Sequence, residues 1–166
     1  MISWQRRARR VPGHKTEASK VTSTQQQVQV ELHIPCDPRY LGIARLVTAG
    51  VGNNVGLNVE VIDDLKVVVS EACTNVIEHA FADRDLTEEP AEVILRFRLR
   101  ANALQIEVED YGVGFDPEQI EQPQLGKPSF DGGLGLFLMR QLTDELEIQS
   151  APGSGTKVII TRYLSE

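Results

Sequence analysis

The sequence lacks any apolar run approaching the roughly 20 residues that a membrane span needs. Nor is its basic N-terminus followed by the apolar region of a signal peptide, so a cytoplasmic protein with no membrane partner is expected. Cysteine is scarce. Cys36 and Cys73 are the two in the chain, far apart and without paired neighbours, which argues against a zinc site or a disulfide framework and leaves buried free thiols. Positive charge is scarce beyond the first residues. Residues 1–20 hold Arg6, Arg7, Arg9, Arg10, Lys15 and Lys20 against Glu17, a local balance of +5, which leaves −12 for the remainder of a chain whose formal net charge is −7. A body so acidic speaks against nucleic acid as a direct partner, because phosphate contact needs basic surface. No internal repeat is present.

What remains is a soluble-type composition, 41% hydrophobic over 166 residues, enough for one domain with a core of its own. Residues 1–24, rich in Arg, Ser, Thr and Gln, read as a disordered basic arm, and residues 25–166 as the domain. Val28, Val30, Leu32 and Ile34 alternate with polar neighbours, His33 among them, as in a half-buried strand. Asp37 followed by Pro38 starts a helix, which Gly50, Gly52 and the pair Asn53 and Asn54 are expected to break.

A second helix begins around Val59, and its stretch from Asp64 to Phe81 is the most informative part of the chain. Leu65, Val68, Val69, Ala72, Val76 and Ile77 form an apolar stripe on it. Glu71, Asn75 and His79, each four residues from the next, form a polar line on another face.

An acidic loop follows, then two alternating runs joined by Ala101-Asn102-Ala103, which predict an antiparallel hairpin ending in Asp110-Tyr111-Gly112-Val113-Gly114. Residues 116–131 are polar and aperiodic, a length of loop that is commonly functional. They close on Gly132-Gly133-Leu134-Gly135, which opens a helix to about Asp144. Glycines at a helix start let backbone N–H groups approach an anion. This segment is not a P-loop, since no Gly-Lys-Ser/Thr follows, nor a dinucleotide fingerprint, since no strand leads directly into it. A strand at Leu146 and Ile148, a turn at Gly153-Ser154-Gly155 and a last strand from Thr156 to Leu164 complete the chain. Strands collecting in one sheet with helices on one face predict an α+β two-layer sandwich with a mixed, mainly antiparallel sheet.

The order of these segments resembles the ATP-binding fold shared by DNA gyrase, the mismatch-repair ATPases and the catalytic domain of histidine kinases, over about Gln25 to Leu164. Within it, RLVTAGVGNNVG, DDLKVVVSEACTNVIEHAF and GLGLFLMRQLTDELEI most resemble the bacterial anti-sigma factors of the RsbW type, which are also serine/threonine kinases. The resemblance implies ATP and Mg2+ as cofactors, an anti-anti-sigma protein of the STAS type as substrate, a sigma factor as binding partner, and a homodimer. Asn75 is similar to the asparagine that holds magnesium against the triphosphate. Glu71 matches the general base. Asp110 resembles the aspartate that accepts a hydrogen bond from the adenine amino group, Gly112 and Gly114 the glycines that let the chain pass the base, and Thr156 the threonine that assists there. Gly132, Gly133 and Gly135 would lie by the phosphates.

His79 fits a basic residue that the superfamily often has, or a helix-end histidine bonded to backbone. Some related kinases place an arginine just before the glycine-rich turn, where Asp131 stands here. Lys127, the only basic residue between Asp110 and Arg140, serves as a point charge for the phosphates or is an ordinary surface lysine. A non-catalytic ATP-binding module whose lid conformation controls partner binding is the alternative reading, and Glu71 favours the kinase. A histidine kinase fits poorly, since only a short polar arm precedes the first strand.

Overall fold

Period-two alternation in five segments builds the sheet, and the stripe along the second helix supplies what covers it. A computed structural model describes residues 29–81, 91–117 and 133–164. The basic arm, the acidic loop and most of the segment before the glycine-rich turn, including Lys127, Asp131 and Gly132, lie outside the described residues. Strand β1 (Gln29–Pro35) leads through a 3-10 turn (Pro38–Tyr40) into helix α1 (Leu41–Asn54) and then α2 (Val59–Asn75). Hairpin β2 (Glu92–Leu99) and β3 (Ala103–Asp110) follow, then α3 (Gly133–Gln141), β4 (Glu145–Ser150) and β5 (Thr156–Tyr163).

The strand order is β1-β2-β3-β5-β4, and each neighbouring pair is antiparallel. The mixed, mainly antiparallel sheet expected from the sequence is thus antiparallel in all of its described pairings. Val93, Leu95 and Phe97 of β2, Leu104, Ile106 and Val108 of β3, and Val158 and Ile160 of β5 are buried in one cluster with Leu65, Val68, Val69, Ala72 and Cys73 of α2 and Leu136 and Met139 of α3. The opposite face of the sheet is a ladder of charge. Arg96 bridges Glu31, at 2.9 Å, and Glu109, while Lys157 reaches Glu109 at 2.9 Å and Arg98 pairs with Glu107. Directly opposed pairs (Glu31 with Arg96, Glu109 with Lys157) and diagonal ones (Arg96 with Glu109, Arg98 with Glu107) keep that face polar and compatible with water. This two-layer arrangement, one face covered by helices and one charged, is the α+β sandwich that the element order predicts.

Two helix ends show how local chemistry positions the rest. Asp37 accepts a hydrogen bond from the Arg39 amide at 2.9 Å and Pro38 opens the turn, as its sequence predicts. Asn58 does the same for α2, accepting from the Val61 amide at 2.9 Å. The stop assigned to Gly50, Gly52 and the Asn pair falls later than expected. Helix α1 runs through both glycines to Asn54, because Gly52 is the point where α2 packs against it. A Cβ there would meet Ile62 Cγ1 at 2.8 Å. The stop itself is Gly56, at φ +82°, whose amide donates to the Asn53 carbonyl while Leu57 donates to that of Gly52. That pair of bonds is the Schellman closure, which a residue in the left-handed region makes possible.

Candidate functional site

Helix α2 carries Glu71 and Asn75 one turn apart, both half-buried, on the side that faces α3. After Asn75 the helix widens into a π-helical turn, Val76–Ala80. Such insertions recur at functional sites and change the phase of everything downstream. His79 lies within this turn, near its end. Its side chain is 67% exposed, and its charged neighbour is Glu78 at 3.9 Å rather than the backbone.

The wide turn ends at a junction. Val113 donates its amide to the Ala80 carbonyl at 2.9 Å, which clips the loop after β3 to the end of α2. A Cβ on Gly112 would lie 2.2 Å from that same carbonyl oxygen, so only glycine fits. On the other side, Gly114 takes φ +61° and its Cβ would lie 2.1 Å from the Ala151 carbonyl. Gly155, at φ +73°, passes equally close to the Asp110 carbonyl. The two glycines after Asp110 are thus needed first for close backbone packing on both sides of the loop, between α2 and the β4–β5 turn.

Asp110 sits at the centre of this junction and is 2% exposed. Its carboxylate accepts from the Gly112 amide at 2.7 Å and also from the Thr156 amide. Burial raises its pKa above the ordinary aspartate value, and the two amides offset part of that. A buried carboxylate held by backbone donors, with no cation pairing it among the described residues, is suited to a ligand that brings its own N–H donor. Cys73 lies deep in the core, where burial pushes its thiol up to about 12, so it is inert packing.

Register places Asp110 opposite Thr156 on β5, and Thr156 opposite Ser150 on β4. Directly paired residues on antiparallel strands share a face, so the three side chains form one row at this end of the sheet. Sequence reading alone does not single out Ser150. It accepts from the Phe115 amide at 2.9 Å and lies 3.0 Å from both the Gly155 carbonyl and the Thr156 hydroxyl. The signal that finds it is the hairpin count, since Ala151 to Gly155 is the turn and Ser150 and Thr156 are its first pair.

The other end of the site is set by α3. A Cβ on Gly135 would lie 2.7 Å from Glu71 Oε2, so the first turn of this helix rests directly on the Glu71 carboxylate. Gly133 begins α3 just before it. Asn75 makes no side-chain capping bond, and its amide oxygen remains available as a hard ligand. No group of three or more His, Cys, Asp or Glu suited to a metal occurs among the described residues. A cation here would therefore take Asn75 together with oxygens of a ligand. Glu71 and Ala80 are nine positions apart, on the order of 13 Å at 1.5 Å per residue, so a site that uses both ends would be elongated.

A model of the histidine kinase-like ATPase domain matches residues 34–162. The serine-protein kinase RsbW of Bacillus velezensis is 42% identical over 144 residues, 82% of this chain and 86% of that protein. Its counterpart in Bacillus subtilis is 40% identical with the same coverage. The chain belongs to the RsbW serine-protein kinases of the histidine kinase-like ATPase family. A solved structure, the RsbU and RsbW domains of Rv1364c from Mycobacterium tuberculosis, superposes with a TM-score of 0.58 at 21% identity, covering 82% of this chain and 33% of that one. That likeness is one of fold. An RsbW kinase uses ATP and a serine or threonine acceptor, and the row at Asp110 and the pair Glu71 and Asn75 are the candidate residues for that chemistry.

The contact between Gly135 and Glu71 makes a separable prediction. In a Gly135→Ala variant the new methyl meets only the far end of a flexible side chain, so the fold should persist with a melting temperature within a few degrees of the parent. The Glu71 carboxylate should be displaced, and phosphate transfer should fall by about 10-fold or more while ATP affinity changes much less. Transfer assayed beside nucleotide titration checks both.

Proposed function

We propose that this kinase transfers the γ-phosphate of ATP to a serine or threonine of a STAS-type anti-anti-sigma protein, and that it sequesters a sigma factor when that partner is phosphorylated. The adenine lies against Asp110 and Thr156, with Gly112 and Gly114 shaping the loop beside it. The triphosphate runs along α2 toward Gly132, Gly133 and Gly135, with Lys127 as a point charge. The Asn75 side-chain oxygen would hold a magnesium ion together with oxygens of the nucleotide, and that ion would supply charge neutralisation during transfer. Glu71 accepts the proton of the acceptor hydroxyl. The freed oxygen forms a bond to the γ-phosphorus as the bond to the β–γ bridging oxygen breaks, and ADP leaves with that electron pair. Backbone N–H groups at the start of α3 face the phosphates.

The observation that carries this reading is the contact of the Glu71 carboxylate with Gly135 at the start of a helix, one turn from an available Asn75 oxygen. Glu71 is not needed for nucleotide binding alone, so its placement speaks for transfer over a regulatory ATP-binding module. The relatives' names support the kinase, and the partners follow from the family resemblance. A homodimer and a cytoplasmic location belong to the same proposal. Capture of partners from the native cell tests it. With ATP present the bound fraction should contain a sigma factor, and with ADP a small anti-anti-sigma protein. Recovery of neither from an active preparation contradicts the proposed partners.

A further inference from the structure

We infer that Ser150 is a positioning residue that fixes the hydroxyl of Thr156 as a hydrogen-bond acceptor, and that this, beside Asp110, selects a purine carrying an exocyclic amino group. The inference rests on the adenine site proposed above and adds a residue and a polarity to it. A serine hydroxyl has one proton and two lone pairs. The Phe115 amide, at 2.9 Å, can only donate to Ser150. The Gly155 carbonyl, at 3.0 Å, can only accept, so it takes the Ser150 proton. The remaining lone pair of Ser150 then receives the proton of Thr156, whose oxygen is 3.0 Å away. All three positions on Ser150 are filled.

The consequence falls on Thr156. With its proton committed to Ser150, the oxygen of Thr156 presents lone pairs alone. Register sets Asp110 next to it on β3, and the buried Asp110 carboxylate is also an acceptor. Two acceptors side by side match an amino group, which has two N–H donors. A purine with a carbonyl at that position brings an acceptor to acceptors and leaves them unpaired, which buried polar groups make costly. Were Ser150 absent, the Thr156 hydroxyl would be free to turn and donate.

The test is equilibrium binding of ATP and of inosine triphosphate, which carries a carbonyl where adenine has the amino group, at fixed magnesium. The unmodified kinase should favour ATP strongly. Ser150→Ala should weaken ATP by about 3- to 10-fold, the range of one neutral hydrogen bond, while inosine triphosphate binds as before or better. Ser150→Thr, which keeps the hydroxyl, should restore the preference. Thr156→Val should reproduce the Ser150→Ala loss, and the double variant should lose little more than either single one, since both act through one bond. Equal weakening of both nucleotides, with a lowered melting temperature, would mean that Ser150 is structural only and would overturn the inference. An unchanged preference in a folded Ser150→Ala variant overturns it and leaves the adenine site standing. A parent protein that does not distinguish the two nucleotides, or an Asp110→Asn variant that distinguishes them as well as the parent, overturns the site and the inference together.

Discussion

Replacing Glu71 by Gln should cut phosphate transfer by about 10²- to 10⁴-fold, the usual contribution of a positioned general base, while ATP still binds within a few-fold of the parent. The substitution keeps size and one acceptor oxygen, exchanges the other for an NH2 donor, and removes the property the role requires, a carboxylate able to take a proton. Glu71 lies half-buried against the first turn of α3, and its oxygen would be 2.7 Å from a Cβ on Gly135. Gln fits the same space, so the fold should be unaffected. Single-turnover transfer with ATP already bound separates the two effects. A Glu71→Gln variant that transfers at the parent's rate removes Glu71 from the chemistry and leaves only nucleotide binding at this site. A variant that loses ATP as well shows Glu71 to be part of the binding surface instead.

The second large effect is expected at Asp110. Asp110→Asn keeps an oxygen to accept from the Gly112 amide but loses the charge that strengthens a bond to an amino group. Charge-assisted hydrogen bonds contribute about 1.5–3 kcal/mol, so ATP affinity should fall by about 10- to 100-fold. The parent protein should show a pH dependence that the variant lacks. Burial raises the Asp110 pKa in the folded protein, which favours the neutral acid. Relative to the unfolded chain, the folded state therefore gains from this group at low pH and loses that gain as pH rises through the raised value. Binding runs the other way, because a proton on the carboxyl competes with the amino group for it. ATP affinity should decline as pH is lowered, beginning above the range of an ordinary aspartate, and Asp110→Asn should give weak and nearly flat binding over the same range. Titration of both proteins with ATP across the acidic range measures this.

Much of the frame is legible in residue order because its causes are local. Alternation in Val93, Leu95 and Phe97, and in Leu104, Ile106 and Val108, is a direct record of which side of the sheet is dry. The stripe from Leu65 to Val76 records the matching face of α2. Asp37 with Pro38 names its own helix start. Features set by contact between distant segments are harder to see. Gly52 reads as a helix breaker until Ile62 of α2 is placed against it. The π turn after Asn75 leaves no mark in spacing, since the same residues would suit an α-helix.

The site divides along the same boundary. Glu71 and Asn75 are neighbours on one helix, so four-residue spacing suffices to pair them. Asp110 and Thr156 are assigned through the family's motif order, and the structure places them opposite each other on neighbouring strands. Ser150 has no motif. Its importance comes from meeting Phe115, Gly155 and Thr156 at once, and only the pairing of β4 with β5 brings these together. The contact of Gly135 with Glu71 is likewise invisible in sequence, because 64 positions separate the two residues and α3 must fold back onto α2 to make it.

The most direct test of the account is transfer from γ-labelled ATP, with magnesium, to the proposed anti-anti-sigma partner, followed by the chemical stability of the labelled bond. The account predicts label on the partner in an acid-stable, base-labile linkage to serine or threonine, dependent on Glu71 and Asn75. Label retained on this chain in an acid-labile linkage, at His14 or His33, would contradict it.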